Sequence, residues 1–91
     1  MDGTAEGVAI EALSFIAADA QLFSRFLRIT GLELENLREA ADDPSFLAGV
    51  LDFVIADERT LVDFASSATL PAEQVVEARR RLASGYAEPG L

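Results

Sequence analysis

The side chains that could act as nucleophiles in this chain are hydroxyl groups without a partner base. The sequence contains six serines but no histidine, lysine or cysteine. A serine nucleophile needs a neighbouring histidine or lysine to take its proton, so the usual activated-serine arrangements cannot be assembled from this chain alone. We therefore expect that the protein is not an enzyme.

Carboxylates are plentiful, and two adjacent pairs, Asp42-Asp43 and Asp57-Glu58, stand where helices are predicted to start. A carboxylate there accepts hydrogen bonds from the free N–H groups of the first turn and interacts favourably with the helix dipole. We prefer this capping role to acid–base catalysis, which needs carboxylates in a pocket with shifted pKa values. Because the sequence has neither a calcium-binding loop nor a glycine-rich phosphate loop, we expect no metal or cofactor.

Three consecutive arginines, Arg79, Arg80 and Arg81, form the longest run of like charge. They fall in the last turns of a predicted sixth helix, where positive charge stabilises the negative end of the helix dipole. Alternatively, the fifth helix, the turn at 66–70 and the sixth helix resemble a helix-turn-helix whose second helix carries arginine. Glu73 at the start of that helix would face phosphate, which makes DNA binding the weaker interpretation.

Acidic residues dominate the charge of the whole chain. Sixteen carboxylates against seven arginines give a net charge of −9, which repels nucleic acids and anionic lipid surfaces. Neither is therefore an expected partner. Arg25, Arg28 and Arg38 could form a second cluster if the second and third helices pack at their shared Gly31 turn. We prefer a solvated face, paired with Glu35 and Glu39.

Composition indicates one soluble domain over residues 1–91. Hydrophobic residues make up 51% of the chain and charged residues 25%, which is typical of folded proteins. The longest nearly unbroken apolar run, 46–56, is much shorter than the ~20 residues that cross a bilayer. No secretory signal pattern is present, so we expect a cytoplasmic protein.

Hydrophobic periodicity predicts an all-α domain, a compact bundle of about six short helices. The predicted helices cover 4–18, 20–30 and 32–41, then one from Pro44, one capped by Asp57, and one over 72–84. Asp19 and Asp43 are predicted N-caps, and Gly31 and Gly85 are predicted stops. A flexible tail is expected over 86–91.

The apolar positions predict which side of each helix is buried. The third helix should turn Leu34, Leu37 and Ala41 inward, and Glu35 stands where the carboxylate of a capping box could reach back to the cap. The sixth should bury Val75, Val76 and Leu82.

The fourth helix is apolar on nearly every side, with Asp52 as its one charge. Such a helix is either central to a domain or part of an interface. Gly49 in its interior costs about 1 kcal/mol relative to alanine, so we expect it to permit a close helix crossing.

A shift of 38 residues aligns the chain with itself and pairs Asp19 with Asp57 and Phe26 with Phe64. Both copies, 4–41 and 42–79, read as helix, Asp cap, helix and third helix. They predict two three-helix units related by a pseudo-two-fold, although amphipathic helices of similar length can also align by chance.

The spacing of the larger residues resembles that of an uncharacterised bacterial family, the domain of unknown function 3572. The resemblance runs from Val8 to Leu82 and is carried by Phe26-Leu27-x-x-Thr30-Gly31-Leu32, Leu37-Arg38-x-Ala40, Pro44-x-Phe46-Leu47-x-x-Val50-Leu51-Asp52-Phe53, Asp57-Glu58 and Phe64. Glu33-Leu34 departs from the expected small capping residue and proline. The resemblance implies a small cytoplasmic helical protein and brings no known activity.

Our leading hypothesis is a non-enzymatic protein-interaction module, since Phe46, Val50 and Phe53 on the fourth helix are candidates to remain exposed. The simplest partner is a second copy in a homodimer, and the alternative partner is a helix of another protein. The competing hypothesis is a nucleic-acid-associated regulator that uses Arg79, Arg80 and Arg81. A carboxylate-based enzyme would require a concave pocket that holds several acids.

Overall fold

The computed structural model describes residues 4–87, with side chains described over 4–82. The helices in this range are α1 (Ala5–Ala17), α2 (Ala20–Thr30), a 3₁₀ turn (Leu34–Asn36), α3 (Leu37–Ala40), α4 (Pro44–Ile55), α5 (Glu58–Ala68) and α6 (Ala72–Ala87). No strand occurs within 4–87. The prediction of an all-α bundle with six α-helices is therefore confirmed.

Side-chain caps start four of these helices. The Thr4 hydroxyl accepts a hydrogen bond from the first turn of α1, at 2.9 Å. The carboxylates of Asp19, Asp43 and Asp57 do the same for α2, α4 and α5. Pro44 occupies the first turn of α4, where its missing N–H leaves no bond unmade. All three predicted aspartate caps are thus confirmed.

Two residues in left-handed conformation end α2 and α5. Gly31 has a φ of 72° and closes α2, as predicted, because glycine has no Cβ to clash in that region. Thr69 closes α5 with a φ of 59°, which is uncommon for a residue with a branched side chain. The backbone N–H of Leu70 then bonds to the carbonyl of Ala65 at 2.9 Å.

The core surrounds α4, which packs against α1, α5 and α6. Leu51 and Val54 are completely buried, as are Ile16 of α1 and Val75 of α6. Of the two roles predicted for α4, the central one is confirmed, and a role in an interface stays a prediction. The buried hydrophobic residues are Val8, Ala9, Ala12, Ile16, Phe26, Leu47, Val50, Leu51, Val54, Phe64, Ala65, Val75, Ala78 and Leu82.

The third helix differs from its prediction. Instead of one helix over 32–41, the chain forms the 3₁₀ turn and then the single turn of α3. Glu33 precedes them in an extended conformation and makes no capping bond, and Glu35 makes none either. Leu34 is 61% exposed, so its predicted inward position is wrong. With neither a capping side chain nor a proline at its start, this segment lacks the local signals that begin the other helices.

The sixth helix differs in its buried face and in its end. Val76 is 46% exposed, while Ala78 is buried in its place. The reason is that α6 packs against both α1 and α4, which selects the face carrying Val75, Ala78 and Leu82. The helix continues through Gly85 to Ala87, so the predicted stop is wrong. Residues 88–91 of the expected flexible tail lie outside the described residues.

The internal repeat stays a prediction. Phe26 and Phe64, which the repeat pairs, are both buried. The third elements of the two units are unequal, since α3 has 4 residues and α6 has 16.

No single helix over 4–87 is long and apolar enough to cross a membrane. The pair α1 and α2 meets the length and composition requirements only together, and the two helices are bent by 115° at their junction.

Candidate functional site

The paired carboxylates are occupied as helix caps. Asp43 accepts from the Ser45 N–H at 2.9 Å, and Asp57 accepts from the Arg59 N–H at 3.3 Å. The hydroxyl of Thr60 also donates to Asp57, at 2.9 Å, and this bond lowers the pKa of the Asp57 carboxyl. A lowered pKa keeps the carboxylate charged near neutral pH, as a cap requires and a general acid does not.

One shallow cavity does gather several acids. It has a volume of about 310 Å³ and lies between the starts of α2 and α5, where Asp19, Asp57 and Asp63 line it together with Arg25 and Arg59. Asp19 and Asp57 are already hydrogen-bonded to backbone N–H groups of their own helices. Two of the three acids are therefore committed to capping. Among the described residues, no group of three or more acids, histidines or cysteines is arranged to hold a metal ion.

The three arginines of α6 point to three different surroundings. Arg79 forms two hydrogen bonds to Asp52 of α4, at 2.5 and 3.0 Å, and this partner raises the arginine pKa. Arg80 pairs with Glu77 on its own helix. Arg81 lines a cavity of about 330 Å³ between α1 and α6, together with Ala5 and Glu77, and its charge contributes to the lowered pKa of Glu77. Successive residues on a helix are ~100° apart, so three in a row do not share a face.

The candidate residues of α4 separate into core and surface. Val50 is completely buried, so this residue is not available to a partner. Phe46 and Phe53 are half-buried, and both rings stand edge-on against the ring of Phe26. The centroid distances from Phe26 are 5.9 Å to Phe46 and 5.3 Å to Phe53. Phe26 of α2 therefore packs against α4 through these two rings, which remain partly exposed.

Small residues occupy the solvent side of α4 beside these rings. Ser45, Gly49 and Ala56 are exposed and recur at helical spacing. Apart from the neighbouring residues and backbone of α4 itself, no atom of the described residues lies within 4 Å of the place where a Cβ on Gly49 would stand. The predicted close crossing at Gly49 is therefore wrong among residues 4–87, because no other helix in this range approaches that side of α4.

Charged groups border this face on both sides. On the aromatic side, the Arg25 guanidinium lies 5.5 Å from the centroid of the Phe53 ring and 3.6 Å from the carboxylate of Asp57. On the other side, the Asp52–Arg79 pair links α4 to α6. We call the surface of Ser45, Phe46, Gly49, Phe53 and Ala56 the α4 face.

Sequence reasoning missed both of these charged contacts. Arg25 does not join a solvated face with Glu35 or Glu39, as expected, but contacts α5 and α4. Its partner lies 32 positions away in the sequence. Local patterns detect pairs within one helix, such as Arg80 with Glu77, and give no signal for pairs made between helices.

Comparison with known proteins places the chain in a family. The family model described as "Protein of unknown function (DUF3572)" matches residues 2–85. Searches of curated proteins and of solved structures return no match. The matched range holds α1 to α5, most of α6 and every residue of the α4 face. The chain therefore belongs to the DUF3572 family of proteins of unknown function.

Proposed function

We propose that this chain is a non-enzymatic protein-interaction module whose binding surface is the α4 face. The observation that carries the proposal is the combination of an open glycine with two aromatic edges. Gly49 leaves the backbone of α4 uncovered by a side chain, and the half-buried rings of Phe46 and Phe53 lie along one side of it. A partner helix could lie along this face with its backbone close to α4.

Gly49 lies inside α4, where a glycine lowers the stability of the helix by about 1 kcal/mol relative to alanine. A glycine inside a helix usually has a packing reason, such as the close approach of another element. No element among residues 4–87 approaches it. A partner from outside the chain would use the space that the missing side chain leaves.

We propose a helix of a different protein as the occupant, rather than a second copy. Two copies would bring together chains that each carry a net charge of −9, which opposes their association at low salt. A homodimer remains an outcome of the test below.

The nucleic-acid alternative receives less support. Arg79 and Arg80 are engaged by Asp52 and Glu77, which leaves Arg81 as the one arginine of the run without an ion pair among the described residues. A phosphate-binding surface requires several cations on one face. The cytoplasmic location and bacterial origin implied by the family resemblance belong to the same proposal.

The test uses two substitutions at one position. Gly49→Ala adds only a methyl group and favours the helix, while Gly49→Gln favours the helix but places a long side chain on the face. The tagged full chain is used to capture partners from the source cell after cross-linking, and light scattering after size-exclusion chromatography gives the oligomeric state. We expect the wild type and Gly49→Ala to retain one common protein partner that Gly49→Gln captures roughly tenfold less.

A control on α5 separates loss of the partner at the α4 face from the effect of placing glutamine anywhere on the surface. Val62 is 54% exposed and lies on a different helix, so Val62→Gln should retain the partner. Equal capture by Gly49→Gln and wild type would contradict the proposed face. A dimer that Gly49→Gln dissociates would instead identify the occupant as a second copy.

A further inference from the structure

Arg25 of α2 lies at the edge of the α4 face. Its guanidinium stands over the ring of Phe53, 5.5 Å from the centroid, and its side chain is 45% exposed. A cation over an aromatic ring is attracted by the negative charge density of the ring face. The ring of Phe53 is also held from the side, because Phe26 packs edge-on against it at 5.3 Å. The guanidinium of Arg25 is therefore continuous with the aromatic side of the α4 face.

The hydrogen-bonding capacity of Arg25 is little used within the chain. A guanidinium carries five N–H donors. Among the described residues, the one ion pair of Arg25 joins its Nη2 to Oδ2 of Asp57, at 3.6 Å. That oxygen already accepts a hydrogen bond from the Thr60 hydroxyl at 2.9 Å. Most N–H groups of Arg25 therefore have no partner in the part of the chain that the structure describes.

Arg79, on the opposite side of the α4 face, is the contrast. Its Nε and Nη2 both donate to the carboxylate of Asp52, which occupies one edge of the guanidinium. Such two-bond pairs are the strong and geometrically specific form of contact between arginine and a carboxylate. Arg25 makes no two-bond pair within the described residues. Of the two arginines beside the α4 face, Arg25 is the one with an edge open to a partner.

This open edge indicates the chemistry of the partner. A carboxylate matches the planar guanidinium through two parallel hydrogen bonds. Arginine and aromatic residues are enriched among the residues that contribute most to binding in protein interfaces. Phe53 and Asp57 already restrict the side chain of Arg25, so less conformational freedom is lost when a partner binds it.

We propose that Arg25 determines the specificity of the α4 face by pairing with a carboxylate on the bound helix. This inference rests on the proposed function, because it names one residue of the helix that lies on that face. Phe53 follows Gly49 by one turn of α4, or ~6 Å along its axis. The carboxylate should therefore lie about one turn from the residue that packs over Gly49. A single acid at this place does not require an acidic partner, so the net charge of −9 does not oppose the pairing.

The first experiment selects binding helices without fixing their charges. The probe is a displayed library of single helices of about 18 residues, or about five turns, with small or apolar residues on one side and all other positions varied. The full chain is the bait, and helices that also bind Gly49→Gln are discarded. We expect the retained helices to share an aspartate or glutamate about one turn from a small residue. Selection on Arg25→Gln should enrich helices without that acid.

A double-mutant cycle then measures the pair itself. One retained helix is synthesised with its shared acid and with the corresponding amide, and fluorescence anisotropy gives the Kd of each for the wild type and for Arg25→Gln. We expect the amide helix to bind the wild type roughly tenfold more weakly, and both helices to bind Arg25→Gln equally. A purely structural role of Arg25 would weaken the two helices alike.

Arg81→Gln is the control for the loss of one positive charge. It removes an exposed arginine from α6, and it should keep the difference in Kd between the acid and amide helices. Circular dichroism should show that Arg25→Gln is folded, because the ion pair that it removes is exposed and contributes little to stability. The amide helix tests the pair on the wild-type chain as well, where nothing in the protein is altered.

The outcomes separate this inference from the proposed function. Retained helices without a common acid, or an equal Kd of the acid and amide helices for the wild type, would overturn the pairing and leave the α4 face standing. If no helix is selected, or if every selected helix also binds Gly49→Gln, the α4 face is wrong and the pairing is wrong with it.

Discussion

Arg79 and Asp52 are joined by two parallel hydrogen bonds, from Nε to Oδ1 at 2.5 Å and from Nη2 to Oδ2 at 3.0 Å. The pair connects the last helix to the central one, and it is the only charged contact that α4 makes with α6 among the described residues. Both side chains are partly open to water, with 30% of Arg79 and 56% of Asp52 exposed. Water screens such a pair, so its expected contribution to stability is small despite its good geometry.

The first prediction follows from this exposure. Asp52→Asn should lower the free energy of unfolding by only ~0.2–1 kcal/mol, with less effect at high salt. Urea denaturation of Asp52→Asn, Arg79→Gln and the double variant gives the coupling energy. A coupling well above this range would mean that the pair is more shielded than its exposure indicates.

The second prediction concerns the centre of the core. Leu51 is completely buried on α4, so Leu51→Ala should cost ~2–5 kcal/mol of stability through lost contacts and the cavity left behind. Val62→Ala on the exposed side of α5 is the control and should change little. A denaturation midpoint unchanged by Leu51→Ala would contradict the central position of α4.

The third prediction compares two glycines. Gly49 lies inside a helix with open space around it, so Gly49→Ala should stabilise the protein by about 1 kcal/mol. Gly31 has a φ of 72°, a conformation that a side chain disfavours, so Gly31→Ala should destabilise it by ~1–2 kcal/mol. Thermal unfolding followed by circular dichroism measures both. Stability changes of the same sign in the two variants would contradict the helical conformation of Gly49 or the left-handed conformation of Gly31.

The fourth prediction concerns acid. The hydrogen bond from the Thr60 hydroxyl, with smaller help from the Arg59 N–H and the Arg25 charge, holds the pKa of Asp57 below its ordinary value of 3.8. A carboxyl whose pKa is lower folded than unfolded stabilises the fold fully above the unfolded value, and this stability is lost as pH falls through the folded value. The contribution of Asp57 should therefore decline below pH 3.8.

Thr60→Val removes the main cause of that shift. In this variant the pKa of Asp57 should rise towards 3.8, as measured by NMR titration of its carboxyl carbon. Arg25→Gln is the comparison and should also raise the pKa, because Arg25 lowers it through its charge and through a hydrogen bond. An unchanged pKa in Thr60→Val would contradict the assigned main cause.

Several features of this protein were predictable from the sequence because their causes are local. Asp19, Asp43 and Asp57 cap helices through bonds to residues two or three positions ahead. Gly31 ends α2 because of its own backbone conformation. The apolar character of α4 predicted that this helix is central or part of an interface, and its buried side, with Leu51 and Val54, does lie in the core.

Other features were decided only by how the helices pack. Val76 and Ala78 both suit a helix, and the packing of α6 against α1 and α4 determined that the smaller one is buried. Leu34 lies exposed in the 3₁₀ turn, although its spacing indicated an inward position. The open side of Gly49 and the contact of Arg25 with Asp57 likewise depend on the arrangement of α2, α4 and α5. The physical reason is that local hydrogen bonds and dihedral preferences act within a few residues, whereas burial and contacts between helices depend on residues far apart in the sequence.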